Sequence, residues 1–173
     1  MLTEIYWIRL DQPGALGVMP RPRGGDWLED EVTNLRRSGV TTLVSLLEPA
    51  EEVELDLLRE RSLAEAAGLD YVSLPVPDRG LPPDDEAAFA VVESLANKVG
   101  GGERVVVHCR QGIGRAALVA CATLIRLGFG ADAAMSVVGE ARGRDVPETE
   151  DQVHWLRRHS HILQRNAGLS ESR

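Results

Sequence analysis

An α/β fold, with a central, mainly parallel β-sheet flanked by α-helices, is predicted by two features of the sequence. Short β-branched runs alternate with longer helical stretches through the first two thirds of the chain, the order that yields parallel pairing through helical crossovers. The most apolar of these runs, Val105–Val107, leads into a glycine-containing loop and then an apolar helix, which sets that loop at the carboxyl edge of an open sheet. The 173 residues suit a single domain spanning 1–173, with a frayed tail near 166–173.

Taken in order, EIYWIRL (Glu4–Leu10) reads as the first strand. DQPGALGVMPRPRGGD is dense in glycine and proline and reads as a loop or short hairpin. Asp26 is the expected N-cap of the next helix, with Glu29 at the capping-box offset and Gly39 as its stop. Val40–Leu47 is the second strand. Pro49 opens a single long helix, Glu51 to Ala67, closed by Gly68. Leu69–Val76 is the third strand, and a polar loop follows it into a helix over Asp84–Val99. Gly100–Gly102 turn the chain into the strand Arg104–His108. Three helices complete the chain: one ending at Leu127, one over Ala131–Ala141, and one over Glu148–Leu163.

Composition narrows the function. Apolar residues make up 43% and charged residues 27%, the profile of a soluble globular protein. Nineteen basic side chains stand against 27 acidic ones, a net charge of -8, which argues against nucleic acid as a partner because the phosphate backbone requires a positive face. No apolar run reaches membrane-spanning length, so no membrane partner is expected. The two cysteines, Cys109 and Cys121, make no disulfide framework, and the acidic N-terminus does not resemble a signal peptide; a cytoplasmic protein is expected. Cys121, on an apolar helix, reads as a packing residue.

The chemistry concentrates in HCRQGIGR, residues 108–115. Cys109 stands at the expected active edge, and five residues, Arg110, Gln111, Gly112, Ile113 and Gly114, separate it from Arg115. A loop of that length entering a helix can turn successive backbone N–H groups inward, and its glycines permit the unusual dihedrals this needs. The helix adds its positive end. The product is an anion cradle floored by a thiol, whose N–H groups favour negative charge on sulfur. Arg115 offers a planar fork to two oxygens of a phosphoryl group. These parts meet the needs of nucleophilic attack on phosphorus. The bland alternative makes Cys109 a buried strand-end residue and Arg115 a surface one. His108 either orients the cysteine environment or is purely structural.

HCRQGIGR resembles the His-Cys-x5-Arg signature of the cysteine-dependent protein phosphatases, the protein-tyrosine and dual-specificity superfamily. The organisation of the chain from Val40 to Leu163 is similar to its small, compact dual-specificity-like members, the cyclin-dependent-kinase-inhibitor-associated phosphatase group among them. The resemblance implies a protein-tyrosine-phosphatase-like fold. It also implies that Arg115 binds the substrate phosphate and steadies the transition state, and that Cys109 carries a transient phosphate.

Leaving-group departure requires a general acid. Asp78, in LPVPDRGLP just past the third strand, is the candidate, and it resembles the aspartate of the family's acid loop. Asp84 and Asp85 compete but suit an N-cap and first helical turn better. Asp78, once ionised, can take the proton of the water that hydrolyses the intermediate. Gln152 resembles a glutamine that related phosphatases carry in a comparable C-terminal element, where it positions that water; the alternative is a solvated helix residue. Arg142 and Arg144 either form a basic rim or lie in a solvated turn. One departure stands out: the residue after the arginine is usually Ser or Thr in this superfamily, and here it is Ala116. The implied consequence is slower breakdown of the intermediate.

The expected substrate is a phosphorylated protein or small phosphomonoester: phosphotyrosine, with phosphoserine and phosphothreonine admitted by a shallow cleft. No cofactor and no metal are expected, since His108, His154, His159 and His161 show no ligand pattern. Oligomeric state is open. The rival readings are a low-activity, phosphate-recognising interaction protein, which Ala116 favours, and a thiol-dependent sulfurtransferase or arsenate reductase, which explains Asp78 less well.

Overall fold

Five short strands build the sheet in the computed structural model, which describes residues 1–165. They are β1 (Tyr6–Trp7), β2 (Ala15–Met19), β3 (Thr42–Ser45), β4 (Asp70–Ser73) and β5 (Arg104–His108), in the spatial order β1-β2-β5-β3-β4. All pairings are parallel except β1 with β2. The helices are α1 (Leu28–Arg37), α2 (Pro49–Glu54), α3 (Glu60–Ala66), α4 (Asp85–Gly100), α5 (Arg115–Arg126), α6 (Ala131–Arg142) and α7 (Glu150–Arg165). The expected α/β class and mainly parallel sheet are what the structure shows. The tail expected near 166–173 lies outside the described residues.

The central strand β5 shows how the core is divided. Side chains alternate across a strand, and β5 sends Val105 and Val107 to one face and Val106 to the other. All three are fully buried, each worth roughly 1.5–3 kcal/mol of apolar transfer. The first face is covered by α4, α5, α6 and α7; the second packs on α1 and α3. Every residue of α5 is buried, which is why its sequence lacks a polar stripe.

Three expectations need correction. The glycine-rich stretch after β1 is more than a loop or hairpin: β2 pairs antiparallel with β1 and also lies parallel beside β5, from Ala15 opposite Arg104 to Met19 opposite His108. Flanking prolines hide a strand whose Leu16, Val18 and Met19 are wholly buried. Asp26 does not cap α1; it sits in a 3-10 turn, Gly25–Trp27, and α1 starts at Leu28 without a side-chain cap.

The single helix expected over Glu51–Ala67 is broken between Glu54 and Glu60, where Asp56 takes a left-handed φ of 56° and the buried Leu57 turns into the core. The amide of Gly25 donates to Asp56 O at 3.0 Å and holds the break. α2 keeps a local capping box, with Glu48 at the N-cap and Glu51 at N3.

Past β4 the chain continues the parallel ladder, Leu74 N–H to Ser45 O at 3.0 Å and Val76 N–H to Leu46 O at 3.1 Å. That extension delivers Asp78 to the same sheet edge as the end of β5.

Candidate active site

Cys109 directly follows the central strand, is 3% exposed, and its Sγ accepts from the Gly112 N–H at 3.2 Å. The loop from Cys109 to Gly114 is pressed against the end of β2. Gly112 has a φ of 73°, and a Cβ there would lie 2.6 Å from the Met19 carbonyl carbon and oxygen, so only glycine fits. From outside, Arg142 Nε donates to Gly112 O at 3.1 Å and its Nη2 to Gln111 O at 3.4 Å, while its guanidinium stacks 3.8 Å from the Tyr6 ring centroid. A trans peptide sets C=O and N–H on opposite sides. Carbonyls drawn outward by Arg142 therefore turn the N–H groups of Gly112 and Ile113 inward. α5 begins at Arg115 after Gly114 with no side-chain cap, leaving its first N–H groups open to an anion.

Arg115 is 1% exposed, against the bland surface reading. Glu51 binds it at two points, Nη1 to Oε2 at 2.7 Å and Nη2 to Oε1 at 2.9 Å. Nη1 also donates to Val76 O at 2.8 Å, and Nη2 to Asp78 Oδ1 at 3.2 Å. Burial pushes the Glu51 carboxyl up, but hydrogen bonding and charge from Arg115 outweigh it and bring the value to about 2. For Arg115, burial works against the cation, yet Glu51 and the other negative groups raise its value further.

Asp78 lies in a tight turn closed by Gly80 N–H to Pro77 O at 2.8 Å, with Arg79 at a left-handed φ of 59°. Cys109, Arg115 and Asp78 meet in one cavity of ≈ 150 Å³, walled by Arg110, Gln111, Ile113 and Gly114 and rimmed by Arg79 and Glu148. Arg110 points away from its floor toward Glu51 and Glu54, Nη2 to Oε2 of Glu54 at 3.0 Å. The competing aspartates are engaged elsewhere: Asp84 caps α4 through Ala87 N–H at 3.2 Å, and Asp85 accepts from Trp155 Nε1 at 2.9 Å.

The family model described as PTP-SAK, Swiss Army Knife protein, DSP-PTPase phosphatase domain, matches residues 5–164. The chain belongs to that family. Rat cyclin-dependent kinase inhibitor 3 (Rattus norvegicus) is 24% identical to this DSP-PTPase domain over 131 residues, covering 75% of the chain and 61% of that protein. The chain thus spans about three fifths of the relative's length. In fold, it is similar to a kinase associated phosphatase whose catalytic-site cysteine is replaced by serine, at a TM-score of 0.85 and 20% identity over 94% of this chain and 97% of the other. Tk-PTP in its active form gives 0.71 and 25%, over 90% and 97%.

Two residues of the DSP-PTPase domain singled out by sequence stand outside the cavity. His108 is fully buried behind Cys109, with Nδ1 3.3 Å from Cys109 O and Nε2 2.8 Å from Glu60 Oε1. That approach to Glu60 is close but poorly aligned for hydrogen bonding, so the contact is chiefly electrostatic. Tyr71 Oη donates to the other Glu60 oxygen at 2.9 Å. Gln152 is buried: its Oε1 accepts from Thr149 N–H at 3.2 Å and its Nε2 donates to Gly80 O at 3.1 Å.

Sequence reading missed Glu51, Glu60, Glu148 and the anchoring use of Arg142. Glu51 had one signal, since an arginine placed beneath a sheet edge demands a carboxylate partner; nothing said which glutamate. Among the described residues no cluster of metal-ligating side chains occurs, and no helix is long and apolar enough to cross a membrane.

Proposed function

We propose that this DSP-PTPase domain hydrolyses phosphoric monoesters through a cysteinyl-phosphate intermediate. One observation carries the reading: a sulfur and a guanidinium from the two ends of one loop and a carboxylate from a distant segment share a single cavity beside the first backbone N–H groups of α5. Cys109 Sγ attacks phosphorus. The N–H groups of residues 110–115 and the edge of Arg115 hold the three non-bridging oxygens as charge spreads over them. Glu51 sets the plane of that guanidinium. Asp78 gives its proton to the departing oxygen. Water then cleaves the P–S bond and returns the thiolate.

Protein phosphotyrosine is the substrate class favoured, with phosphoserine and phosphothreonine admitted because the acid side of the cleft is open; the Asp78 side chain is 56% exposed. No cofactor enters the mechanism. The rat relative's name connects it to kinase regulation, which supports a phosphoprotein substrate over a small metabolite. A cytoplasmic setting is consistent with both cysteines, Cys109 and Cys121, being free thiols.

A second reading, a phosphate-recognising module of low turnover, is favoured by Ala116, which is wholly buried and brings no hydroxyl to the sulfur. One experiment separates them. Purified protein is assayed on aryl phosphates, phosphopeptides and phosphoinositides, and acid-quenched reactions are searched for phosphate on Cys109. Hydrolysis with trapped cysteinyl phosphate, both lost in Cys109→Ser, supports the enzyme. Phosphate binding with no covalent phosphate would overturn it in favour of the module.

A further inference from the structure

Two carboxylates face the cavity, and the proposed reaction requires two proton transfers. Asp78 serves the first. Glu148 is the other, and its setting differs from what the C-terminal glutamine led one to expect. Thr149 and Gln152 form a reciprocal capping box at the start of α7: Gln152 N–H donates to Thr149 Oγ1 at 3.2 Å, and Thr149 N–H donates to Gln152 Oε1 at 3.2 Å. Gln152 Nε2 is spent on Gly80 O at 3.1 Å. One donor and one acceptor of that amide are thus committed to structure, and the Gln152 side chain is wholly buried, whereas that of Glu148 is open to water. The capping box instead turns the preceding residue, Glu148, into the cavity.

Glu148 Oε1 accepts from Arg79 Nη1 at 2.6 Å, which pairs the carboxylate with a cation and anchors it to the segment that carries Asp78. Its other oxygen, Oε2, reaches over Gly114, 2.9 Å from where a Cβ would stand on that glycine. That oxygen accepts no hydrogen bond from the described residues and lies beside the amides that would hold the phosphoryl group. The Glu148 side chain is 23% exposed, so water reaches it. Asp78, once it has given up its proton, has one oxygen held by Arg115 Nη2 at 3.2 Å.

We propose that Glu148, rather than Gln152, activates the water that hydrolyses the cysteinyl phosphate; the proposal rests on the reaction set out above. Water oxygen bonds to phosphorus and passes one proton to the Glu148 carboxylate. The P–S bond breaks, and its electron pair stays on Cys109 Sγ as thiolate. Hydrogen phosphate leaves, and Glu148 returns its proton to solvent. The charge on sulfur, phosphate and carboxylate is conserved through the step. Arg79 is a positioning residue: it aims Glu148 without touching the reacting atoms. A dedicated base for this step also suits a chain in which Ala116 gives the leaving sulfur no hydroxyl.

The test is rapid-quench kinetics with p-nitrophenyl phosphate on the full chain, comparing wild type with Glu148→Gln, Glu148→Asp and Arg79→Gln, each verified as folded by thermal melting. Glu148→Gln is expected to keep its burst of nitrophenol and its first-step rate, while decay of the cysteinyl phosphate slows by at least about 100-fold, the low end of general-base contributions. Glu148→Asp should recover part of that decay. Arg79→Gln should slow it less than Glu148→Gln does. Wild-type decay in Glu148→Gln overturns the proposal. So does equal slowing of both steps in Glu148→Gln and Arg79→Gln, which would make Glu148 a loop anchor only. Hydrolysis with no trappable covalent phosphate on Cys109 in either the wild type or Glu148→Gln overturns the underlying reaction, a result distinct from a trapped cysteinyl phosphate whose decay is unaltered in Glu148→Gln.

Discussion

Arg115 and Glu51, 64 positions apart, meet in two parallel hydrogen bonds of 2.7 and 2.9 Å beneath the carboxyl edge of the sheet. Both side chains are shielded from water, Arg115 to 1% exposure. In such a pair each charge is tolerable only because of the other. The pair also fixes which edge of the guanidinium is turned to the cavity, so one contact serves both stability and the site.

Glu51→Gln should therefore lower stability by about 3 kcal/mol, the low end for stripping one partner from a buried ion pair. Urea unfolding measures the loss, and inhibition by inorganic phosphate should weaken in parallel. The carboxyl titrates near 2 in the folded chain against an ordinary 4.5, so its contribution is complete above 4.5 and is lost as pH falls toward 2. The variant should show a flatter decline over that acid window.

The His108–Glu60 contact makes a prediction on the alkaline side. Burial alone would lower the His108 value, but the Glu60 carboxylate at 2.8 Å outweighs it and the net direction is upward from 6.5. A raised histidine stabilises fully below its ordinary value and loses that contribution as pH rises through the folded one. Melting temperature should fall as pH climbs above 6.5, and the dependence should shrink in Glu60→Gln. An unchanged slope in that variant would assign the effect to another group.

Gly112→Ala tests the cradle. The φ of 73° and the Met19 backbone, 2.6 Å from where the alanine Cβ would stand, force the loop to shift. Strain of about 1–3 kcal/mol is expected, read as phosphate binding weakened roughly tenfold to a hundredfold. Equilibrium inhibition by vanadate or phosphate reports it. Binding at wild-type strength would mean the amide positions do not matter.

Asp78→Asn should slow hydrolysis by roughly a hundredfold or more for alkyl phosphates, the usual range for a general acid. The loss should shrink as the leaving group becomes a better one. Rates measured across a series of substituted phenyl phosphates supply the slope, and equal loss throughout would disqualify Asp78.

Ala116→Ser restores a hydroxyl at the start of α5, where the native residue is wholly buried. Single-turnover decay of the cysteinyl phosphate should quicken about tenfold, what one hydrogen bond to a charged group contributes. The first step should be unaffected.

Local pattern by itself determined a good deal of this molecule. The bounds of β5 and the middle of α4, α5 and α6 follow from runs and caps within a few residues, as does the Asp84 cap. The five-residue spacing from Cys109 to Arg115 binds both ends of one loop to one place, because so short a segment has few ways to run. The place of the Asp78 loop was legible for a related reason: a strand end followed by prolines must emerge at the sheet edge.

Tertiary structure alone decided the rest. β2 became a strand because β5 lay beside it to pair with, against the advice of its flanking prolines and its own Gly17. The α2–α3 break exists because Leu57 finds a core and Gly25 an acceptor, neither visible in a helical pattern. Which glutamate would meet Arg115, and whether Glu148 or Gln152 would face the cavity, depended on partners scores of residues away. Close-range preferences act within a turn or a loop, whereas charge pairing and burial depend on which distant segments the folded sheet brings within a few ångströms.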